Sequence, residues 1–390
     1  MRDPLNSFIE QIPPSGIRKF FDLVAEMDDP EVVSLGVGEP DFDTPWHIRE
    51  EGIYAITKGK TFYSANAGLM ELRREISKYT LKHYGVTYDP ASEILVTVGG
   101  SEAIDATFRA MLDPGDEVII PEPCFVSYKP CAIFAGAKPV VIDLKAENEF
   151  KLQPEELEAA ITDKTKIVFI SYPNNPTGAV MTREDLEKIA EVVIRHDLFV
   201  LSDEIYAALN YTGEEYTSMA AIPGMRDRTV VVNGFSKAFA MTGWRLGYAT
   251  GPARVIKQMM KVHQFAIMCP PTLSQYAAIE ALRNGEEDVI FMRNEYDTRR
   301  KFLLKRFEEM AAARGYRFAR LYTDAEHNDT AIAFYKVNGY VCEPYLNQQD
   351  PACQEYPTLI FSKSLTCDAL VPWNSRSIHL TEQIAKQNNK

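Results

Sequence analysis

Residues 230–248 read Val230-Val-Val-Asn-Gly-Phe-Ser-Lys-Ala-Phe-Ala-Met-Thr-Gly-Trp-Arg-Leu-Gly-Tyr248. The apolar run that ends at Val232 is typical of a buried strand, and Asn233-Gly234 breaks that strand. Lys237 lies just beyond the strand, and Arg245 follows eight residues later. A lysine among small and apolar residues can lose its proton and attack a carbonyl, whereas an arginine offers a planar fork to a phosphate. The stretch therefore predicts a site for a phosphorylated aldehyde, although a lone lysine is usually a solvated surface residue.

Short apolar segments and helical segments alternate on both sides of this stretch. The segments that predict strands lack polar alternation, which is typical of strands buried on both faces; they are 94–98, 117–120, 139–143, 167–172, 198–202, 229–232 and 246–250. Helical patterns lie between several of them, at 101–112, 155–160 and 182–196. This order predicts an α/β fold with a mainly parallel, seven-stranded sheet and helices on both faces.

Polar residues follow three of the predicted strands, where ligands of such sheets bind. Gly99-Gly100-Ser101 opens a helix and offers free N–H groups to an anion, with plain helix capping as the alternative. The loop 173–178 offers the Asn175 amide, although loops of this composition are usually turns. Asp203 ends another strand, where a carboxylate is costly unless a cation pairs with it. A protonated pyridine nitrogen would be such a cation, so the phosphorylated aldehyde is expected to be pyridoxal 5'-phosphate.

Composition excludes several other functions. The net charge of -13 argues against nucleic acid and anionic membranes as partners. No apolar run approaches the ~18 residues that span a bilayer, and the N-terminus lacks the apolar core of a signal peptide. The six cysteines show no spacing typical of a metal site or of a disulfide framework. We therefore expect a reduced cytoplasmic enzyme without a metal, and the missing GxGxxG motif gives no support to a dinucleotide site.

Three motifs occur together in this chain: Ser236-Lys237 with Arg245, Asn174-Asn-Pro-Thr-Gly178, and Ser202-Asp-Glu-Ile-Tyr206. With them the sequence resembles the class I/II pyridoxal-phosphate aminotransferases of fold type I. The resemblance covers residues ~15–310 and is closest to bacterial aminotransferases acting on aspartate, alanine or aromatic amino acids. It implies amino-group transfer between an L-amino acid and a 2-oxo acid by a ping-pong mechanism.

The resemblance also implies roles for individual residues. Lys237 would bond covalently to the cofactor and move the proton of the substrate Cα, Asp203 would pair with the pyridine nitrogen, and Tyr206 would act beside them. Asn175 and Tyr206 would bind the ring oxygen of the cofactor, and Gly100, Ser101 and Arg245 would bind its phosphate. Phe125 would stack on the ring, with core packing as the alternative. Tyr63 would reach the phosphate of a neighbouring subunit, which implies a homodimer, and Gly38 and Asn175 would lie against the substrate. Gly234 departs from the many relatives that have a phosphate-binding serine there.

The C-terminal region departs further from the family pattern. Residues ~311–365 resemble the last part of a GNAT-type N-acetyltransferase, including a closing strand at 358–365. The pyrophosphate loop of that family is absent upstream, so we expect no acetyl-CoA binding. The alternative is a diverged small domain in which 328–340 is an amphipathic helix with Gly339 as its cap. Arg376 is the only late arginine that could clamp the substrate carboxylate, and a solvated tail residue is the other interpretation.

The predicted organisation has three parts: an N-terminal arm at 1–44, a large cofactor-binding domain at 45–287, and a connector helix with an atypical α+β region at 288–390. Two other functions stay open besides amino-group transfer. The same fold would serve a β carbon–sulfur lyase, which releases pyruvate and ammonia without an acceptor. A cofactor-binding remnant with impaired turnover is the other, because losing one desolvated carboxylate contact costs on the order of 2–5 kcal/mol.

Overall fold

The computed structural model describes residues 4–5, 7–10, 12–13, 38–313, 318–324, 341–345 and 358–364. Its α-helices are α1 (Ser7–Glu10), α2 (Trp46–Thr57), α3 (Met70–Tyr84), α4 (Gly99–Met111), α5 (Tyr128–Phe134), α6 (Pro154–Ala160), α7 (Arg183–Arg195), α8 (Ala253–Ala266), α9 (Thr272–Asn284) and α10 (Glu286–Ala313). Short 3₁₀ helices lie at Ala146–Asn148, Ala207–Leu209, Met219–Ala221 and Arg226–Arg228. Within these residues no helix is long and apolar enough to cross a membrane.

A seven-stranded sheet forms the centre of the fold, as the sequence predicts. Its strands are β1 (Ile94–Thr97), β2 (Glu117–Glu122), β3 (Lys138–Asp143), β4 (Thr165–Ser171), β5 (Phe199–Asp203), β6 (Thr229–Gly234) and β7 (Gly247–Thr250), in the order β1-β7-β6-β5-β4-β2-β3. β7 runs antiparallel to both of its neighbours, and the other pairs are parallel. The connection 235–246 contains no helix, so the chain returns beside β6 as an antiparallel strand.

The central strands of the sheet are buried on both faces. Their successive side chains point to opposite sides, and helices cover both sides. Phe169 and Leu201 pack into the core under α4 and α8, whereas Val168 and Val200 pack into the core under α6 and α7. All four side chains are almost completely buried. Apolar residues on both faces explain why these strands lack polar alternation in the sequence.

A second sheet is formed by β8 (Phe318–Asp324), β9 (Val341–Tyr345) and β10 (Thr358–Ser364), with β10 in the middle and both pairs antiparallel. The expected closing strand at 358–365 is thus a strand over 358–364. Most of the acetyltransferase-like segment, the predicted helix at 328–340 and Arg376 lie outside the described residues. The acetyltransferase resemblance and the domain boundaries at 44 and 287 therefore stay predictions.

The backbones of β7 and of the turn before α4 make direct contact where both are glycine. A Cβ atom on Gly247 would lie 2.6 Å from the carbonyl carbon of Gly99 and 2.7 Å from the amide nitrogen of Gly100. Gly99 itself has a φ of 75°, a conformation that favours glycine. This contact fixes the start of α4 against the strand that follows the Lys237 connection.

Gly247→Ala is expected to lower the free energy of unfolding by about 1–3 kcal/mol, because the added methyl group meets backbone atoms that cannot rotate away. The urea midpoint of the purified protein measures this. Gly243→Ala is the matched control, since nothing lies within 4 Å of a Cβ atom at that position. Equal midpoints for the two variants would show that the contact is not tight.

Candidate active site

Lys237 lies in the connection between β6 and β7 and points towards the N-terminal segment. Its Nζ donates a hydrogen bond to the carbonyl oxygen of Gly38 at 2.6 Å and lies 5.8 Å from the centre of the Tyr206 ring. Partial burial lowers the pKa of the Lys237 ammonium group, the nearby positive charge of Arg245 lowers it further, and the negative charge of Glu39 acts in the opposite direction. A larger fraction of the neutral, nucleophilic amine is therefore available than for a surface lysine.

Asp203 ends the central strand β5 and is only 7% exposed. Its Oδ2 accepts a hydrogen bond from the Tyr128 hydroxyl at 2.8 Å, and its Oδ1 accepts one from the Ile205 N–H at 3.1 Å. Burial raises the pKa of the Asp203 carboxyl group, and these two hydrogen bonds reduce the increase. Among the described residues no cationic side chain forms an ion pair with Asp203. The site thus holds a buried acid that a cationic ligand would complement.

Tyr206 and Asn175 come from the loops after β5 and β4. Burial and the charge of Asp203 raise the pKa of the Tyr206 hydroxyl to about 12, and a hydrogen bond with the Asn175 side chain acts against that rise. The loop of Asn175 is fixed by its neighbour Asn174, whose Oδ1 accepts hydrogen bonds from the N–H and the hydroxyl of Thr177 at 3.1 and 3.0 Å. Both polar groups are therefore held in place near Lys237.

The start of α4 and Arg245 form a second, cationic end of the site. A Cβ atom on Gly99 would lie 2.7 Å from Nη2 of Arg245, so the guanidinium group lies against the turn that carries Gly100 and Ser101. Arg245 donates from Nη1 to the Thr242 carbonyl at 3.1 Å, and it has no carboxylate partner in the part of the chain that the structure describes. Free N–H groups at a helix start beside an arginine are suited to a phosphate.

The sequence departure at Gly234 has a steric explanation. A Cβ atom at this position would lie 3.0 Å from both the Gly247 Cα and the Ile205 Cδ1. Contacts of this length require the neighbouring atoms to shift, and one of the two is backbone. In this chain, the close approach of β7 therefore favours glycine at 234.

A cavity of about 510 Å³ lies beside Lys237, and the residues that line it do not include Asp203, Gly100, Ser101 or Arg245. Gly38 and Asn175, which are predicted to lie against the substrate, line it together with Tyr206 and Lys237. Sequence reasoning missed two contributors: Arg300, which lines the same cavity from α10, and Tyr128, which holds Asp203. Tyr128 stands three residues after Phe125 in a segment already of interest, whereas no sequence signal distinguishes Arg300 from the other arginines of α10.

Two predicted cofactor residues stand apart from this group. Phe125 is half-buried and packs edge-on against Tyr128, with ring centres 5.7 Å apart. Tyr63 is 81% exposed. The stacking predicted for Phe125 and the contact predicted between Tyr63 and a second subunit both stay predictions.

The chain resembles known proteins over most of its length. The sequence model of the family described as aminotransferase class I and II matches residues 30–335. The aromatic-amino-acid aminotransferase 2 of Thermococcus litoralis is 46% identical over 308 residues, which is 78% of this chain and 79% of that protein. The aspartate aminotransferase of Pyrococcus abyssi is 47% identical over 304 residues, 77% of this chain and 78% of that one. The solved structure of Thermus thermophilus aspartate aminotransferase with maleate superposes with a TM-score of 0.75 at 40% identity and covers 82% of both chains.

On the other face of β5, the side chain of Glu204 is completely buried. Its Oε1 accepts hydrogen bonds from the hydroxyl groups of Ser202 and Ser218, both at 2.9 Å, and from the N–H of Met219 at 3.1 Å. Burial raises the pKa of the Glu204 carboxyl group to about 7, and the hydrogen bonds limit the increase. The folded protein therefore binds a proton at Glu204 that the unfolded chain releases near its ordinary pKa of 4.5.

This difference predicts how stability depends on pH. The contribution of Glu204 is fully present below about pH 4.5 and is lost as the pH rises through about 7. Glu204→Gln removes that loss, so its stability relative to the wild type should increase by on the order of 3 kcal/mol between pH 4.5 and pH 8. Urea unfolding at several pH values measures it, with Glu187→Gln as a control because the exposed Glu187 pairs with Arg183. Parallel pH profiles for the wild type and Glu204→Gln would contradict the prediction.

Proposed function

The chain belongs to the class I and II aminotransferases, and on this premise we propose that it moves an amino group between an L-amino acid of the aspartate, alanine or aromatic type and a 2-oxo acid. The observation that supports this proposal most strongly is the position of Lys237. This half-buried lysine has a lowered pKa and lines the cavity together with the polar side chains of Asn175 and Tyr206. The donor and acceptor would use this single site in turn, in a ping-pong mechanism.

The arrangement fits pyridoxal 5'-phosphate, the cofactor of this family. Asp203 would hold the pyridine nitrogen, since it is a buried carboxyl group without a cation among the described residues. Asn175 and Tyr206 would hold the ring oxygen, and Gly100, Ser101 and Arg245 would hold the phosphate. When bound, the cofactor supplies an aldehyde for a covalent bond and a ring that takes up electrons.

The residues of the chain would then move one proton and keep the substrate in place. A neutral Nζ of Lys237 would take the proton from the substrate Cα and return it to a different carbon atom on the same face of the bound ligand. The Gly38 carbonyl, which accepts a hydrogen bond from Nζ at 2.6 Å, would orient the amine between these transfers. Asp203 would remain ionised beside the ring nitrogen, because a cation there offsets the desolvation of the carboxylate.

The substrate side of the cavity carries an arginine that could meet a carboxylate. Arg300 donates from Nε and Nη2 to the same oxygen of Asp297, at 3.1 and 2.7 Å, and Nη1 has no partner among the described residues. Its guanidinium group lies 5.8 Å from the centre of the Tyr211 ring. We propose that Arg300 contributes to substrate binding from the cavity wall, while the clamp predicted at Arg376 stays a prediction.

Lys237→Ala is expected to reduce transamination by on the order of 10³-fold or more, because both the covalent anchor and the proton carrier are lost. The visible spectrum of the cofactor-loaded wild type should change on addition of aspartate, alanine or phenylalanine, and that of the variant should not. Lys257→Ala, an exposed lysine on α8, serves as the control and should retain activity. A variant at 237 that turns over as the wild type does would refute the proposal, and pyruvate release without an acceptor would indicate the lyase instead.

We also propose that the active form is a cytoplasmic homodimer. Phe62, Tyr63 and Phe265 are 80%, 81% and 88% exposed. Two hydrogen bonds join the segments that carry them: Asn66 to the Met268 carbonyl at 2.7 Å, and Thr272 to the Phe62 carbonyl at 2.8 Å. Clustered apolar side chains of this size are typical of a protein interface. The described cysteines are free thiols, which is consistent with a reducing compartment.

Phe265→Asp should convert the dimer to a monomer, because it places a charge in the proposed interface. Sedimentation velocity measures the change, and transamination should fall with it, since Tyr63 would reach the neighbouring subunit. Leu81→Asp is the control, an exposed leucine on α3 outside the cluster. A Phe265→Asp protein that remains dimeric would place the interface elsewhere.

A further inference from the structure

A buried histidine and a glutamate are hydrogen-bonded at the start of α4. The His263 side chain on α8 is 0% exposed, and its Nδ1 lies 2.5 Å from Oε1 of Glu102, whose side chain is 14% exposed. Glu102 belongs to the first turn of α4, so the pair joins this turn to a neighbouring helix. The proposed mechanism uses neither residue.

Glu102 also binds the backbone of the turn itself. Its Oε2 accepts a hydrogen bond from the Val98 N–H at 2.5 Å. Val98 directly precedes Gly99, the first residue of α4, whose φ is positive. One carboxylate oxygen thus fixes the turn whose following N–H groups are the proposed phosphate site, and the other oxygen is held by His263.

The charge of this carboxylate has a consequence for an anion at the same helix end. Glu102 and a phosphate would both be stabilised by the N-terminus of α4, and they would repel each other within the first turn. A buried carboxylate without a counter-charge is also costly in itself. A positive charge on His263 would leave the pair neutral, so that the phosphate would meet the positive helix end and Arg245 rather than a net negative turn; this charge has to offset the buried Nε2 of His263, which has no hydrogen-bond partner among the described residues.

We propose that His263 is a positioning residue that neutralises Glu102, so that Glu102 can fix the turn before α4 without weakening the binding of a phosphate there. The inference rests on the proposed cofactor site. The charge balance of the pair is expected to change the binding of the phosphate group, and not the binding of the ring or the covalent bond to Lys237. A pair that only holds the turn in place would be preserved by an uncharged hydrogen-bonding side chain at 263, such as glutamine.

The test compares pyridoxal 5'-phosphate with pyridoxal, which lacks the phosphate, in binding titrations of the apoprotein. His263→Gln should raise the Kd of pyridoxal 5'-phosphate about 10-fold to 100-fold, as expected for one unbalanced charge close to another, and that of pyridoxal less than about 3-fold. The double variant Glu102→Gln/His263→Gln should bind pyridoxal 5'-phosphate within about 3-fold of the wild type, because both charges are gone.

Glu102→Gln alone gives a second, independent readout, since glutamine can still accept from the Val98 N–H. It should bind pyridoxal 5'-phosphate at least as tightly as the wild type. Equal losses for both ligands in His263→Gln, or a double variant no better than that single variant, would overturn the inference. Binding by the wild type separates failure of this inference from failure of the proposed function. A wild type that binds neither ligand refutes the proposed function. A selective loss of pyridoxal 5'-phosphate binding in a variant shows that a phosphate site exists.

Discussion

Desolvation of the Asp203 carboxyl group is the constraint around which the site is arranged. A carboxylate at the end of a central, fully covered strand loses its water, and two hydrogen bonds compensate for only part of that loss. The surrounding elements supply neutral donors, such as the hydroxyl of Tyr128, rather than a cation. Among the described residues, no positive charge is therefore paired with Asp203. A ligand that brings this charge is bound with a free-energy gain that a pre-formed ion pair would not allow.

The same reasoning explains why Lys237 lies outside immediate contact with Asp203. A direct ion pair between Lys237 and Asp203 would raise the pKa of the lysine and lower the pKa of the carboxyl group. The amine would then be less often neutral, and the carboxylate would no longer need a cation from a ligand. The structure instead pairs the lysine with a backbone carbonyl, that of Gly38. Separation of the two groups preserves the reactivity of each, and Tyr206 lies near both of them.

Much of the fold could be predicted because burial on both faces leaves a continuous apolar pattern in the inner strands, although the edge strand β3 is mostly exposed or half-buried. The candidate site could be predicted in part because parallel strands bring their carboxyl ends to one edge, so the side chains of Asn175 and Tyr206 meet although they follow different strands. The role of Tyr128 and the pairing of Glu102 with His263 could not be predicted, since each depends on which helix packs over which strand. The preference for glycine at 234 depends likewise on a contact with β7 that no local pattern encodes.

The pairing of β1 with β7 also determines when the site can appear during folding. Thr97 lies opposite Gly247, so the start of α4 and the lysine connection meet only when two segments far apart in the sequence come together. Contacts between residues so far apart in sequence are slow to form because a long loop must close first. A chain in which β1 has not yet paired with β7 would lack the proposed phosphate-binding turn in its final place. Cofactor binding would therefore report completion of the domain rather than its early collapse.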